Sequence, residues 1–146
     1  MAKSFVSNLI KKGRIKMKII IKDILFGFLV VIVITLCEFI VTIPFGLPDI
    51  NNKAEYIAFM NQEFLLTVLP ALFVTYGFAW ILKTKTMKEA MQKSIIWTLL
   101  VLLNFVMIGL GNDNISEIFK TFGIFVLLIG TFIGPILYVR LNTKKI

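Results

Sequence analysis

The sequence predicts an all-α membrane protein, a bundle of four transmembrane helices. Of the 146 residues, 58% are hydrophobic and only 16% are charged. Soluble domains have about 45–50% apolar and roughly 25% charged residues. Four stretches are almost free of charge over roughly 20 residues, which is the length that crosses a bilayer core. A soluble helical bundle would interrupt such stretches with a charged residue every three or four positions.

The predicted spans are about 24–43, 64–82, 94–110 and 119–139. We therefore expect a four-helix transmembrane domain over 24–146, preceded by a basic segment over 1–23. Between residues 3 and 22 the chain has seven Lys or Arg residues and no acidic residue, with apolar residues among them. This pattern predicts a short interfacial helix that contacts anionic lipid headgroups.

The basic residues are distributed very unevenly between the two sides of the predicted bundle. Fourteen of the 16 Lys and Arg residues precede the first span, separate the second from the third, or follow the fourth. Lys53 and Lys120 are the two exceptions. Basic residues favour the cytoplasmic side, so both termini are expected there, in a multi-pass protein of a cell membrane. The Lys-, Ile- and Asn-rich composition suggests a bacterial plasma membrane. The net charge of +8 then needs no nucleic-acid partner.

Three connections carry the pattern of a capping box: Asn52-x-x-Glu55, Thr86-x-x-Glu89 and Asn114-x-x-Glu117. In this box the first side chain accepts a hydrogen bond from a free backbone N–H group, and the glutamate reaches back to the cap. We therefore expect the second, third and fourth helices to begin in the loops and to continue into the membrane. The glutamates have a structural role in this interpretation.

Glu38 is the acidic residue that lies inside a predicted span. A carboxylate at that depth costs a few kcal/mol, so it should face the bundle interior or a hydrated cavity. Thr67 and Asn104 lie in the same half of the membrane, and an Asn side chain is poorly accommodated by lipid. We expect a buried polar cluster of Glu38, Thr67 and Asn104. Its carboxyl group either couples proton movement to a ligand or acts as a hydrogen-bonded strut.

The first span carries one face of small and polar residues: Gly27, Val31, Thr35, Glu38 and Thr42. This face should pack against the other helices. At the cytoplasmic end of the span, Asp23 is expected to neutralise its neighbour Lys22. Four aromatic residues near the cytoplasmic ends of the spans predict an interfacial belt: Tyr76, Trp80, Trp97 and Tyr138.

Small residues repeat every four positions in two spans. The second span contains Thr67, Ala71, Thr75 and Ala79, and the fourth contains Gly123, Leu127, Gly130 and Gly134. Such rows allow helices to approach closely within a membrane, where the hydrophobic effect does not drive their association. We expect Ala71, Thr75, Gly130 and Gly134 to form a packing face within the chain. A dimer interface is the alternative.

The composition excludes several kinds of chemistry. The chain has no histidine and a single cysteine, Cys37, which rules out His-based catalysis, His/Cys zinc sites and intramolecular disulfides. We therefore assign no catalytic residue, no metal site and no cofactor.

Three functions remain open. The first is an accessory protein or subunit that contacts a larger membrane complex through its helices. The second is an oligomeric transporter or channel with Glu38 as the coupling carboxylate. A glutamate embedded in the first of four helices resembles the small multidrug resistance transporters in architecture, although the long basic N-terminus and the single orientation depart from that family. The third is a lipid-modifying enzyme that uses Glu38 or Glu63 as its acid or base. The absence of histidine, and of an acidic pair expected at one depth, makes this function the least favoured of the three.

Overall fold

All regular secondary structure in the described part of the chain is helical in the computed structural model. The structure describes residues 2–46, 48–49, 52–111 and 115–143, with side chains between 17 and 142. Its α-helices are α1 (Ala2–Thr42), α2 (Lys53–Ile81), α3 (Met87–Gly111), α4 (Ile115–Ile118) and α5 (Phe122–Thr143), with a 3₁₀ helix at Ile43–Phe45 after α1.

Four helices of the described chain are long and apolar enough to cross a membrane. The candidate spans are Met17–Phe45, Lys53–Ile81, Met87–Gly111 and Phe122–Asn142. Each overlaps one of the spans predicted from sequence, so the prediction of four membrane-length helices is confirmed. The protein is a small integral membrane protein by this criterion. We call the end that holds the two terminal segments and the 82–86 connection the terminal end, and the opposite end the distal end.

The first helix is longer than its predicted span because the basic segment continues into it without a break. At 1.5 Å per residue, its 41 residues extend about 60 Å, roughly twice the thickness of a hydrocarbon core. Pro44 ends the α-helix because its ring disfavours a helical conformation in the preceding residue. Gly46 then adopts a φ of 72°, which glycine tolerates at no steric cost.

Two of the three predicted capping boxes begin helices in the loops. The side chain of Asn52 accepts a hydrogen bond from the N–H group of Glu55 at 3.4 Å. Thr86 Oγ1 accepts from the N–H group of Glu89 at 3.2 Å, and the Glu89 carboxylate accepts from the N–H group of Lys85 at 3.0 Å. In the third box, Asn114 lies outside the described residues.

The fourth spanning helix does not begin at the third box, contrary to the sequence expectation. The short α4 ends at Ile118, and the hydroxyl of Thr121 donates to the Ile118 carbonyl at 2.7 Å. The side chain of Asn61, in α2, instead accepts a hydrogen bond from the N–H group of Gly123 at 2.7 Å.

The most extensive helix contact is between α2 and α5, and it uses the two predicted rows of small residues. The α2 row is fully buried: Thr67, Ala71, Thr75 and Ala79. A Cβ atom on Gly130 would lie 3.0 Å from Val68 Cγ1, and one on Gly134 would lie 2.8 Å from the Leu72 carbonyl oxygen and overlap the Thr75 hydroxyl. The backbones therefore approach too closely for any side chain at Gly134.

The buried face of α1 differs from the predicted one. Its members are Asp23, Gly27, Val30, Ile34 and Glu38. The expected face included Val31, which is half-buried, and Thr35, which is exposed. Val30 and Ile34 take the inward positions because the middle of the bundle is an apolar core, with Trp97 and Val101 of α3 among its buried residues. Only the two ends of the α1 face are therefore acidic.

Candidate functional site

The distal end of the bundle contains a cavity of about 320 Å³, close to the lower end of the range of small-molecule sites. Its walls come from α1, α2, α3 and α4, with Pro48 from the first connection. The lining residues are Glu38, Pro48, Tyr56, Phe59, Met60, Glu63, Phe64, Phe105, Ile108 and Ile118. Two carboxyl groups are therefore set into a wall that is otherwise aromatic and aliphatic.

Glu38 is the most deeply buried acid of this cavity. The residue is only 6% exposed, and its Oε1 atom has no hydrogen-bond partner among the described residues. The hydroxyl of Thr42 donates to the backbone carbonyl of Glu38 at 3.0 Å and does not contact the carboxyl group. A buried carboxyl oxygen without a partner is costly to keep in a membrane protein.

Glu63 is the second acid of the site. It is half-buried on α2 and lines both the first cavity and an adjoining one of about 570 Å³, together with Glu38 and Phe59. None of the described residues lining either cavity is basic. Sequence analysis did not group Glu63 with Glu38, and the structure sets both carboxyl groups on the walls of the same two cavities. Glu63 lies one turn before Thr67 on the same face of α2, which is the signal that could have identified it.

The rest of the cavity is suited to an apolar group. Phe64 and Phe105 pack edge to face with ring centroids 5.0 Å apart, and Tyr56 and Phe59 supply further aromatic surface from α2. Aromatic rings attract cations through their negatively charged faces. Combined with two carboxyl groups and no basic residue, this wall fits a cation that carries hydrophobic substituents.

Thr67 and Asn104 do not line this cavity. The hydroxyl of Thr67 donates to the backbone carbonyl of Glu63 at 2.9 Å, and no hydrogen bond joins the described side chains of Asn104 and Glu38. Thr67 lies one helical turn from the lining residue Glu63 on α2, and Asn104 is next to the lining residue Phe105 on α3. The packing-face residues Ala71, Thr75, Gly130 and Gly134 lie between α2 and α5.

The terminal end holds a second buried acid in a very different environment. Asp23 is 2% exposed, and its Oδ1 atom lies 3.2 Å from Lys93 Nζ. Gln92 Nε2 donates to Asp23 Oδ2 at 2.7 Å, and Trp97 Nε1 donates to the Asp23 carbonyl at 3.0 Å. These contacts join α1 to α3. The expectation that Asp23 pairs with Lys22 is wrong, because Lys22 Nζ lies over the Phe26 ring, 5.9 Å from its centroid.

The predicted aromatic belt is also only partly correct. Trp80 is 64% exposed, as an interfacial residue should be, but Trp97 is fully buried. Tyr76 and Tyr138 pack edge to face with centroids 5.4 Å apart and join α2 to α5. Trp97 therefore belongs to the Asp23 cluster, where the indole N–H group has a buried acceptor.

Comparison with protein-family models, with curated proteins and with solved structures finds no match to this chain. Among the described residues, no three His, Cys, Asp or Glu side chains are grouped so that they could hold a metal ion. Any functional conclusion therefore depends on the geometry of the two ends of the bundle.

Proposed function

We propose that this small membrane protein binds a hydrophobic cation in its distal cavity and exchanges it for a proton at Glu38, as an oligomeric transporter. The observation that carries the proposal is the buried, unpartnered Oε1 atom of Glu38 on the wall of an aromatic cavity. A carboxyl group without a basic partner is neutral when protonated and anionic when it holds a cation. Cation binding would therefore release the proton, which couples the two.

The groups that would act on the ligand have distinct roles. Glu38 would form the ion pair at the deepest point of the cavity, and Glu63 would supply a second negative charge nearer the distal surface. Tyr56 and Phe59 would contact the apolar substituents and the positive charge. Four helices enclose little space by themselves, so a continuous pathway would require at least two copies of the chain.

Binding is tested with benzyltrimethylammonium and its neutral isostere neopentylbenzene, which has the same shape without the charge. We expect calorimetry on the protein in lipid nanodiscs to detect the cation and to show much weaker binding of the isostere. Glu38→Gln should weaken cation binding by about tenfold or more, because it removes a charge from a poorly solvated site. Glu55→Gln is the matched control, since Glu55 is an exposed capping residue at the same end.

Equal affinity for the cation and its isostere, or equal loss in both glutamate variants, would contradict the binding site. Transport is tested separately by following the same cation into proteoliposomes under an imposed pH gradient. We expect Glu38→Gln to abolish the pH-driven component. If the protein binds the cation but shows no uptake driven by the pH gradient, the binding site is supported and the transport function is wrong.

A second candidate function is an accessory role in a larger membrane complex. It is favoured by the length of α1, which continues about 30 Å beyond a hydrocarbon core and could present a helix to a partner. Mild-detergent purification from the native host, with cross-linking and mass spectrometry, would distinguish the two roles. A stoichiometric partner protein would favour the accessory role, and a homodimer would favour the transporter.

We further propose that both termini are cytoplasmic in a bacterial plasma membrane, and that the basic segment contacts anionic headgroups without any nucleic-acid partner. The distribution of Lys and Arg residues supports this orientation. Because Cys37 is the only cysteine, replacing it by serine gives a background for single-cysteine labelling. A cysteine at Ser7 should resist a membrane-impermeant maleimide in intact cells, and one at Lys53 should react. The reverse result would overturn the orientation.

A further inference from the structure

The terminal end contains a further cavity, of about 370 Å³, where α1 passes the connection between α2 and α3. Its lining residues are Ile19, Lys22, Asp23, Leu82, Lys83, Lys85, Glu89 and Lys93. Four ammonium groups and two carboxylates leave this lining with a net charge of +2. The charge of this lining is opposite in sign to that of the distal cavity, which has two acidic residues and no basic one. The cavity at the terminal end plays no part in the function proposed above.

The positive charge of this cavity is available to a ligand. Lys93 is engaged by Asp23, so these two charges compensate each other. Among the described residues, no carboxylate lies within ion-pair distance of the ammonium groups of Lys22, Lys83 or Lys85. The Glu89 carboxylate accepts a hydrogen bond from the backbone N–H group of Lys85. An anion is therefore the ligand that the lining charges favour.

The connection between α2 and α3 holds two of these lysines at fixed positions. The N–H group of Thr84 donates to the Ala79 carbonyl at 3.0 Å and closes the end of α2. Lys83 has a φ of 50° and is the residue of the described chain that adopts a left-handed conformation without being glycine. Glycine is the residue that the backbone favours at such a helix end. The side chain of Lys83 is thus present at a conformational cost.

The surroundings of the cavity indicate which anion it holds. Ile19 and Leu82 give the cavity an apolar wall, and the neighbouring Trp80 and Ile81 are 64% and 57% exposed on the outer surface of the bundle. A phosphate group could meet the lysines while attached acyl chains follow this apolar surface. Lysine side chains bind phosphate as point charges with several donors. We propose that this cavity binds the phosphate group of an anionic phospholipid.

The experiment uses the tryptophans of the same end as reporters. The full chain is reconstituted in phosphatidylcholine bilayers that contain a small fraction of brominated phosphatidylglycerol or, for comparison, brominated phosphatidylcholine. Bromine quenches tryptophan fluorescence on contact, and Trp80 lies on the exposed surface beside the cavity. We expect stronger quenching by the brominated anionic lipid at equal mole fraction.

The decisive comparison is between two double variants. Lys83→Gln/Lys85→Gln removes two charges from the cavity lining, whereas Lys88→Gln/Arg140→Gln removes two from exposed positions at the same end that lie outside both the lining and the basic segment. The first should reduce the preference for the anionic lipid by at least about fivefold, because each such lysine contributes on the order of that factor. The second should change it by less than about twofold.

Two results would overturn the proposal. Equal losses in the two variants would indicate diffuse surface charge, and equal quenching by both brominated lipids in the unmodified protein would indicate no site. Relief of the quenching by millimolar inorganic phosphate would support the proposal, because a free anion that binds the same lysines displaces the phosphate group of the lipid. Circular dichroism of each variant checks that the helical content is retained.

Discussion

Asp23 and Glu38 are two carboxylates on the same buried face of α1, about 22 Å apart along the helix axis. Each is more than nine-tenths buried. Asp23 has an ammonium partner, an amide donor and an indole bonded to its backbone, all from α3. Glu38 has an unpartnered oxygen and lines a cavity. The comparison teaches that two acids of one buried helix face can differ sharply in whether their hydrogen-bonding capacity is satisfied, so burial alone does not describe the environment of an acid.

The largest effect is expected where the paired acid loses its partner. Lys93→Met should lower the free energy of unfolding by about 3–5 kcal/mol, because it leaves the buried carboxylate of Asp23 without a counter-charge. Denaturant titration followed by circular dichroism measures the loss. Lys88→Met, at an exposed position of the same helix, should have little effect.

The double variant Asp23→Leu/Lys93→Met sharpens this test. It should recover most of the lost stability, since replacing both members of a buried ion pair by apolar residues is often neutral. If the double variant loses as much free energy of unfolding as Asp23→Leu and Lys93→Met lose together, Asp23 and Lys93 do not stabilise the fold as a pair.

Replacing the unpaired acid, Glu38, should change the free energy of unfolding in the opposite direction. Glu38→Met should raise the free energy of unfolding by about 1–3 kcal/mol, because it removes a buried polar group that lacks a partner. The same denaturant titration measures this, and cation binding should be lost in parallel. If Glu38→Met lowers the free energy of unfolding, Glu38 stabilises the fold as Asp23 does, and the contrast between the two acids is wrong.

A smaller effect is expected between the two acids, where Gly27 permits α1 to approach α3. A Cβ atom at Gly27 would lie 2.9 Å from Trp97 Cδ1 and overlap the end of the Leu100 side chain. Gly27→Ala should therefore lower stability by about 1 kcal/mol and shift the emission of Trp97, without changing cation binding at the distal end. In Gly77→Ala, where nothing lies within 4 Å of the new Cβ atom, neither change is expected.

The smallest effect concerns Glu117, an acid outside the spans. The hydrogen bond from Lys120, at 2.8 Å, lowers the pKa of the Glu117 carboxyl from its ordinary value of 4.5, and nearby Lys53 and Ser116 act in the same direction. A carboxylate with a lowered pKa stabilises the fold above its ordinary pKa, and this contribution is lost as the pH falls through the lowered value.

Amide hydrogen exchange of Lys120 and Thr121, corrected for intrinsic rates, should therefore show less protection below about pH 4. Glu117→Gln should reduce protection at neutral pH and remove the pH dependence. An unchanged profile in that variant would indicate that the Lys120 contact contributes nothing to this turn.

The sequence predicted the features that depend on local composition. Apolar length located the four spans, and the Asn52 and Thr86 patterns located the starts of two helices. The four-residue spacing of Thr67, Ala71 and their equivalents identified the buried face of α2. Each of these signals lies within one helix, where periodicity and propensity are sufficient.

The features that were missed depend on contacts between helices. Lys93 is next to the predicted third span, but nothing local indicates that it reaches Asp23. Sequence analysis grouped Thr67 and Asn104 with Glu38, whereas the residues of the same two helices that share the cavity with Glu38 include Glu63 and Phe105. Depth estimated from span boundaries is uncertain by about one turn, which is enough to exchange one set of partners for another.

The hydrogen bond from Gly123 to Asn61 has a consequence for biosynthesis. The first N–H groups of a helix have no partner within it, and in a membrane an unmet N–H group costs several kcal/mol. For the last spanning helix, one of these acceptors is a side chain of α2, which leaves the ribosome long before α5. The final segment thus enters a bilayer in which its acceptor is already in place. A full-length chain with leucine in place of Asn61 could not offer this docking point, so docking of the C-terminal segment depends on a residue synthesised about sixty positions earlier.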